Sequence, residues 1–292
     1  MGIRWRKVRD AARRYGLKAA LRRTLTWALA RAGLVEDTEA RRRLVARYLS
    51  RTCSSTVRYG PLRGMVLPEG AWWSMHDRAA MVLGLYERDV LEELVRALRR
   101  RSLFIDIGAG DGYFAIGLVR AGLADQSWCF EASAHGRQVI AGAARLNGVA
   151  GRVRVEGTAT RECLCDLPRD RLADAVVLVD IEGGEFGLLD KRVLGHLRET
   201  VIVIELHDHK PGFGPDCRIA LESRARNHFD ISEIALLARN PDLFSELDDL
   251  EENDRWLACS EGRGRKMTWL LLQPRIGRQT QTDRESRIVQ PT

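Results

Sequence analysis

"FIDIGAGDGYFAIG", residues 104–117, sets an apolar run against one carboxylate, then three glycines at alternate positions, then apolar residues again. The β-branched and aromatic residues before the glycines read as a buried strand, and those after them run on at helical length. Gly108, Gly110 and Gly112 therefore fall on a strand-to-helix turn. Such a turn aims the first unpaired N–H groups of the helix away from the sheet edge, where a polar ligand is received. Glycine permits positive φ there and lets a ligand approach the backbone without meeting a Cβ.

The spacing chooses between ligands. A dinucleotide fingerprint is G-x-G-x-x-G, with pyrophosphate at the helix start, whereas this chain has D-x-G-x-G-x-G. Asp106 sets a carboxylate beside the turn, which repels a pyrophosphate and attracts an ammonium. S-adenosylmethionine carries an ammonium and a sulfonium and no phosphate, so the pattern points to that cofactor over NAD. Asp106, Gly108, Gly110 and Gly112 are the expected cofactor-binding residues of the turn. Glu131, closing the next apolar run in "SWCFEA", lies 19 positions past Gly112, near the roughly 20-residue offset at which an acid meets ribose hydroxyls. The plainer alternative is that small residues merely ease a tight turn.

Outward from the turn, short apolar runs ("LFIDI", "SWCFE", "VRVEG", "AVVLVD", "VIVIEL") alternate with stretches of helical length such as 113–121 and 134–147. That alternation predicts an α/β fold with a doubly wound, mostly parallel sheet. Residues 101–275 form the expected cofactor-binding core, with "FDISEIALL" and "MTWLLLQP" as two further strands separated by a long irregular segment, 238–266. Residues 59–100 read as a hairpin in "YGPLRGMVLPEGAWW" followed by a single helix over 81–100. Residues 1–58 form a basic helical arm, and 276–292 a polar tail with no apolar period.

The net charge of +7 is unevenly placed: residues 1–58 hold 16 Lys or Arg against Asp10, Glu36, Asp37 and Glu39. The basic balance thus belongs to the arm. Leu17, Leu21, Leu25, Ala28 and Ala32 space out one apolar stripe among arginines, an amphipathic helix pattern. This helix could dock on its own domain, lie on an anionic membrane surface with Trp5 and Trp27 at the interface, or be a cleaved transit peptide. No apolar run nears the roughly 20 residues of a membrane span. The six cysteines lack paired C-x-x-C spacing, so reduced thiols and a cytoplasmic setting are expected, with peripheral membrane contact through residues 1–35 as the alternative that the arm leaves open.

At this point the chain resembles a class I S-adenosylmethionine-dependent methyltransferase of the FkbM family. The resemblance is carried by "GLYERDV" (84–90), "FIDIGAGDGYFAIG", "FEASAHGRQVIAGAARLNGV" (130–149), "LVDIEGGEFGLLD" (178–190) and "VIVIELH" (201–207). It covers about residues 59–274 and brings Glu87, in the first block, into the expected cofactor-binding set. Asp111 stands where the family has Asn, and Ala132 and Ser133 replace a Pro-containing pair. The resemblance implies O-methylation of a hydroxyl, often on a sugar or secondary metabolite.

Asp180, Glu182 and Glu185 follow the run "AVVLV", and Glu205, His207, Asp208 and His209 end or follow "VIVIE". If these strands are neighbours, as the resemblance implies, both sets open onto the mouth where ligands of such sheets sit. Methyl transfer to an alcohol is an in-line displacement that must also remove a proton, so His207, Asp180 and Glu182 are candidate bases. Asp180, Glu205 and His207 could alternatively hold a divalent metal. The plain alternative is that "DIEGGE" caps the following helix and "HDHK" is an exposed loop. Trp72, Trp73, His76, Asp77, Arg255, Trp256 and Arg263 are further candidates to contact a glycan or acidic acceptor. A DNA-methyltransferase tetrad and a Pro-Cys nucleophile are both missing, and the aromatic residues form no stacking platform, so nucleic acid is not the favoured acceptor. The rival readings are a non-catalytic cofactor binder or scaffold, and an RNA methyltransferase that uses the basic arm on phosphates.

Overall fold

Strands rich in Val, Ile and Leu, with no polar face to give to water, must be covered on both sides, and that requires helices above and below a parallel sheet. The computed structural model describes residues 38–69 and 75–275, with isolated helical positions at 17, 18, 21, 25 and 29. Its strands are β1 (Leu103–Ile107), β2 (Gln126–Phe130), β3 (Val153–Glu156), β4 (Ala175–Val179), β5 (Val201–Leu206), β6 (Phe229–Glu233) and β7 (Thr268–Pro274). They form one sheet in the order β3-β2-β1-β4-β5-β7-β6. The first five are parallel, and β7 runs antiparallel to both β5 and β6. This is a doubly wound α/β architecture. The strand order reverses between β1 and β4, which is where ligands of open parallel sheets are received.

Alternate residues of each strand enter opposite layers. Phe104, Val176, Leu178 and Val203 join Leu91, Leu94, Phe114 and Ile116 on one face. Ile105, Val177, Ile202 and Ile204 join Leu164, Leu172, Val193 and Leu221 on the other. Burial of this kind is worth about 1.5–3 kcal/mol for each large aliphatic side chain, and it holds the strand ends in fixed register.

The structure departs from the sequence reading in four places. The helix expected over 81–100 is two helices, Arg78–Leu83 and Arg88–Leu98. Gly84 closes the first at φ +72, and Glu87 enters the second at φ +45. The apolar stripe continues across the break, which is why periodicity alone misses it. The segment 238–266 is not wholly irregular, for it contains the helix Glu252–Cys259. The last part of the arm, the helix Thr38–Thr52, belongs to the body: it buries Val45, Ala46 and Leu49 in the core. Arg41 grips both oxygens of Asp254 at 2.8 Å, and Arg42 reaches the Ser260 carbonyl at 2.8 Å. The hairpin sits slightly earlier than expected, on a Thr56–Val66 bridge. Trp72, Trp73 and the tail 276–292 lie outside the described residues.

A Cβ at position 84 would lie 2.1 Å from the Tyr59 carbonyl oxygen, whereas one at Gly122, which has nearly the same φ of +69, meets nothing within 4 Å. Gly84→Ala is expected to cost roughly 2–4 kcal/mol in urea unfolding, and Gly122→Ala only about 1 kcal/mol. Equal losses at the two positions would show that backbone conformation alone, and not the clash, decides the break.

Candidate active site

The site is built where β1 and β4 end side by side. The Asp180 N–H donates to the Ile107 carbonyl at 2.9 Å, carrying the parallel ladder one residue past the end of β4. Gly108 follows at φ +95, and a Cβ there would lie 1.9 Å from the Asp180 carbonyl oxygen. Only glycine lets the turn pass so close to β4. The turn then feeds the helix Tyr113–Arg120 from Gly112. Asp106, in β1, is 2% exposed. Burial pushes its carboxyl up to about 7, opposed by a hydrogen bond from the Ala115 N–H. Glu131, just past β2, accepts from the Gly110 N–H at 3.0 Å and the Ser133 N–H at 2.7 Å, and so ties the turn to the neighbouring strand.

A cleft opens above this turn. Met81, Tyr86, Tyr113 and Phe114 supply an apolar wall, and the charged residues on the cleft are Asp106, Asp111 and Asp180, all acids. Tyr86 stands edge-on to Tyr113 at 5.5 Å, and Tyr113 edge-on to Phe114 at 5.4 Å. Among the described residues lining the cleft there is no cation to pair a pyrophosphate, and an apolar wall with carboxyl groups suits a flat base and a ligand that donates hydrogen bonds or carries positive charge. The residues present therefore fit S-adenosylmethionine.

Next to the cleft, the pairing Val179↔Ile204 sets Asp180 and Glu205 at neighbouring positions of adjacent strands. His207 follows, 3% exposed and surrounded by carboxylates. Its Nδ1 lies 3.3 Å from Glu185, and its Nε2 lies 3.3 Å from Glu205, 3.6 Å from Asp180 and 3.7 Å from Glu182. Glu185 is fully buried and also accepts the His207 and Gly183 backbone N–H groups, each at 2.8 Å. Burial lowers the His207 pKa, but hydrogen bonds to Glu185 and Glu205 outweigh it and raise it to about 10. A raised pKa favours the protonated ring at neutral pH, with Nδ1 on Glu185 and Nε2 facing Glu205, which sets His207 against the base role expected from the sequence.

Arg263 enters from the loop before β7 and bridges Glu87, Glu205 and Glu261. It is the counter-charge of the cluster, where the sequence reading had offered it to an acceptor. Burial pushes the Glu205 carboxyl up, but the hydrogen bond from His207 and the Arg263 charge outweigh it and hold it at about 2. Glu87 and Asp180 are both held well above the usual carboxylate range, by burial first and then by the Glu205 charge. Asp180 Oδ1 is buried with no hydrogen-bond partner. Glu182, in the left-handed region at φ +61, is half-exposed and pairs with Lys210 at the rim.

The sequence-predicted residues thus divide. Asp106, Gly108, Gly110 and Asp180 share the cleft. Gly112 starts the helix beside it, and Glu131 braces the turn. Glu87 lies with Arg263 and Glu205 in the adjoining charged cluster, not on the turn. Asp180, Glu205 and His207 offer ligand atoms within 4.8 Å of one another. A divalent cation there would have to displace the proton of His207 and share Glu205 with Arg263, which holds its other oxygen. Arg255 pairs with Asp242 at 2.6 Å and Trp256 is 53% exposed, both away from the cleft residues. Sequence reasoning missed the Glu185 cage and the aromatic wall. Only the grouping of "DIEGGE" with "ELH" hinted at the first.

No protein-family model matches the chain, and no curated protein matches it in sequence. Among solved structures, it is similar to a provisionally assigned O-methyltransferase from Klebsiella pneumoniae, with 16% identity, 85% of this chain and 96% of that one covered, and a TM-score of 0.44. It is similar to precorrin-6y C5,15-methyltransferase from Geobacter metallireducens GS-15 at 15% identity, over 63% of this chain and 87% of that one, with a TM-score of 0.41. The tRNA (m1A58) methyltransferase from Aquifex aeolicus matches at 12% identity over 64% and 68%, with a TM-score of 0.42. Likenesses this distant say nothing about the acceptor.

The folded Asp106 carboxyl, at about 7, binds its proton more tightly than the unfolded one at about 3.9. Its contribution to stability is therefore full below about pH 4 and is lost as pH rises to about 7. Asp106→Asn removes that dependence, so over this window the variant should gain on wild type by roughly 1.4 kcal/mol per pH unit. Urea melts at several pH values read the difference. A gap that stays constant with pH would mean that Asp106 is ionised throughout.

Proposed function

We propose that this protein is an S-adenosylmethionine-dependent methyltransferase that methylates a hydroxyl group of a glycan, a glycolipid precursor or a natural product. The observation that carries the reading is the glycine turn at the strand-order reversal, whose cleft has only acids as charged groups and abuts Asp180. The five sequence blocks that resemble FkbM methyltransferases support the hydroxyl as acceptor.

When bound, the cofactor supplies an electrophilic methyl group on a sulfonium. Asp106, Gly108, Gly110 and Gly112 form its bed. Tyr86 and Phe114 exclude water from one side, and Glu131 fixes the turn and offers a carboxylate to hydroxyls. Asp180 is the proton acceptor. Its carboxyl is buried, raised above the usual range and unpartnered at Oδ1, the condition in which a carboxylate takes a proton most readily. His207, held by Glu185, sets a positive charge beside Asp180 and Glu205, and Glu182 guards the rim with Lys210. Arg263 keeps the cluster from carrying an unbalanced negative charge into a buried site, which costs several kcal/mol per ion.

Isothermal titration with S-adenosylhomocysteine tests the cofactor assignment. Wild type should bind, and Glu131→Ala should bind roughly 10- to 100-fold more weakly, the usual range for a lost hydrogen bond to a charged group. Unchanged affinity would refute the assignment of Glu131. Asp180→Asn should bind the same ligand within about threefold yet transfer label from methyl-labelled cofactor into a cell extract roughly 100- to 10,000-fold more slowly. Label in the glycan or lipid fraction supports the acceptor class. Label in RNA, or full transfer by the variant, overturns it.

A further inference from the structure

The N-terminal arm carries a feature that methyl transfer leaves unused. Leu17, Lys18, Leu21, Leu25 and Leu29 are helical. A spacing of four sets Leu17, Leu21 and Leu25 on one face, and they are 68%, 60% and 60% exposed. Single exposed leucines are ordinary, but three in line along one face form a contiguous apolar surface. These three leucines are not in the buried core, while Leu29 is half-buried and Ala28 and Ala32 of the stripe lie outside the described residues. That surface lies within a cationic sequence: residues 1–35 hold ten Lys or Arg and a single acid, Asp10, with Trp5 and Trp27 among them.

We propose that this arm is a membrane-surface anchor, whose leucine face lies among the acyl chains of an anionic bilayer while its lysine and arginines meet lipid phosphates. Charge selects this occupant. RNA phosphates would satisfy the same cations but leave Leu17, Leu21 and Leu25 in water. A second copy would cover the leucines but bring two strongly positive arms together, which like-charge repulsion opposes. An anionic phospholipid surface meets both halves of the pattern. Ten Lys or Arg punctuate residues 1–35, and no apolar run there has spanning length, so the proposed contact lies in the plane of the surface. The tether is short, because the next helix, Thr38–Thr52, is clamped to the body through Arg41 and Arg42.

The test is flotation of the full-length protein with vesicles of phosphatidylcholine alone or mixed with phosphatidylglycerol. Wild type should bind the anionic vesicles at least roughly tenfold more tightly, and added salt should weaken the binding. The triple variant Leu17→Gln, Leu21→Gln, Leu25→Gln should lose roughly a hundredfold or more of that affinity, with an unchanged thermal melt to show that the body is folded. Lys18→Gln, Arg22→Gln, Arg23→Gln should weaken binding and blunt its salt dependence. The proposal is overturned if wild type ignores both vesicles or if the leucine variant floats as wild type does. It is equally overturned if the leucine variant turns a dimer into a monomer in sedimentation, or if RNA binds through the arm and displaces the vesicles.

Discussion

The carbonyl oxygen of Asp180 occupies the space that any side chain at position 108 would need. This one contact couples the glycine turn to β4, and the rest of the site is arranged around it. Because β1 and β4 are parallel and in register, the turn and Asp180 leave the sheet at the same level. Because β5 lies beyond β4, Glu205 and His207 arrive beside Asp180 without any long loop to place them. A ligand held on the turn is therefore next to the acids by construction, and the precision comes from the sheet ladder, not from flexible side chains.

Charge is the second constraint. Glu87, Asp180, Glu185 and Glu205 are drawn together in a poorly solvated space, and such a group is tolerable only when its members are paired or share protons. His207 and Arg263 divide that task. His207 is locked among four carboxylates, and Arg263 joins the distant Glu87 and Glu205 to its near neighbour Glu261. Glu87 and Asp180 are left with a raised affinity for a proton, and of the two Asp180 is the one that lines the cleft. The chemistry assigned to it follows from that uneven sharing and needs no special residue type.

Much of the architecture was legible beforehand, because strands buried on both faces leave short apolar runs that hardly resemble anything else. β1, β4 and β5 lie where "LFIDI", "AVVLV" and "VIVIEL" put them. The glycine turn was legible for the same reason, since its backbone demand is written in residue identity. Other features depend on contacts between distant segments and leave no local trace. The break at Gly84 hides beneath a continuous apolar stripe, and only the nearby Tyr59 carbonyl shows why glycine is needed. "HDHK" reads as a loop, yet His207 is among the most buried polar residues because Glu185 folds back over it from after β4. Arg263 sits in a stretch without period, so its role emerges only when residues 87, 205 and 261 converge.

That convergence bears on how the molecule comes to be made. On a ribosome the five parallel strands are complete once β5 emerges, but Glu87 and Glu205 then face each other with no guanidinium between them. Their countercation is encoded some sixty residues later, immediately ahead of β7, the strand that must slot between β5 and β6 in the opposite direction. Closure of the sheet and neutralisation of the mouth are therefore one late event, and a nascent chain released before it would carry an open edge on β5 beside a strip of mutually repelling acids.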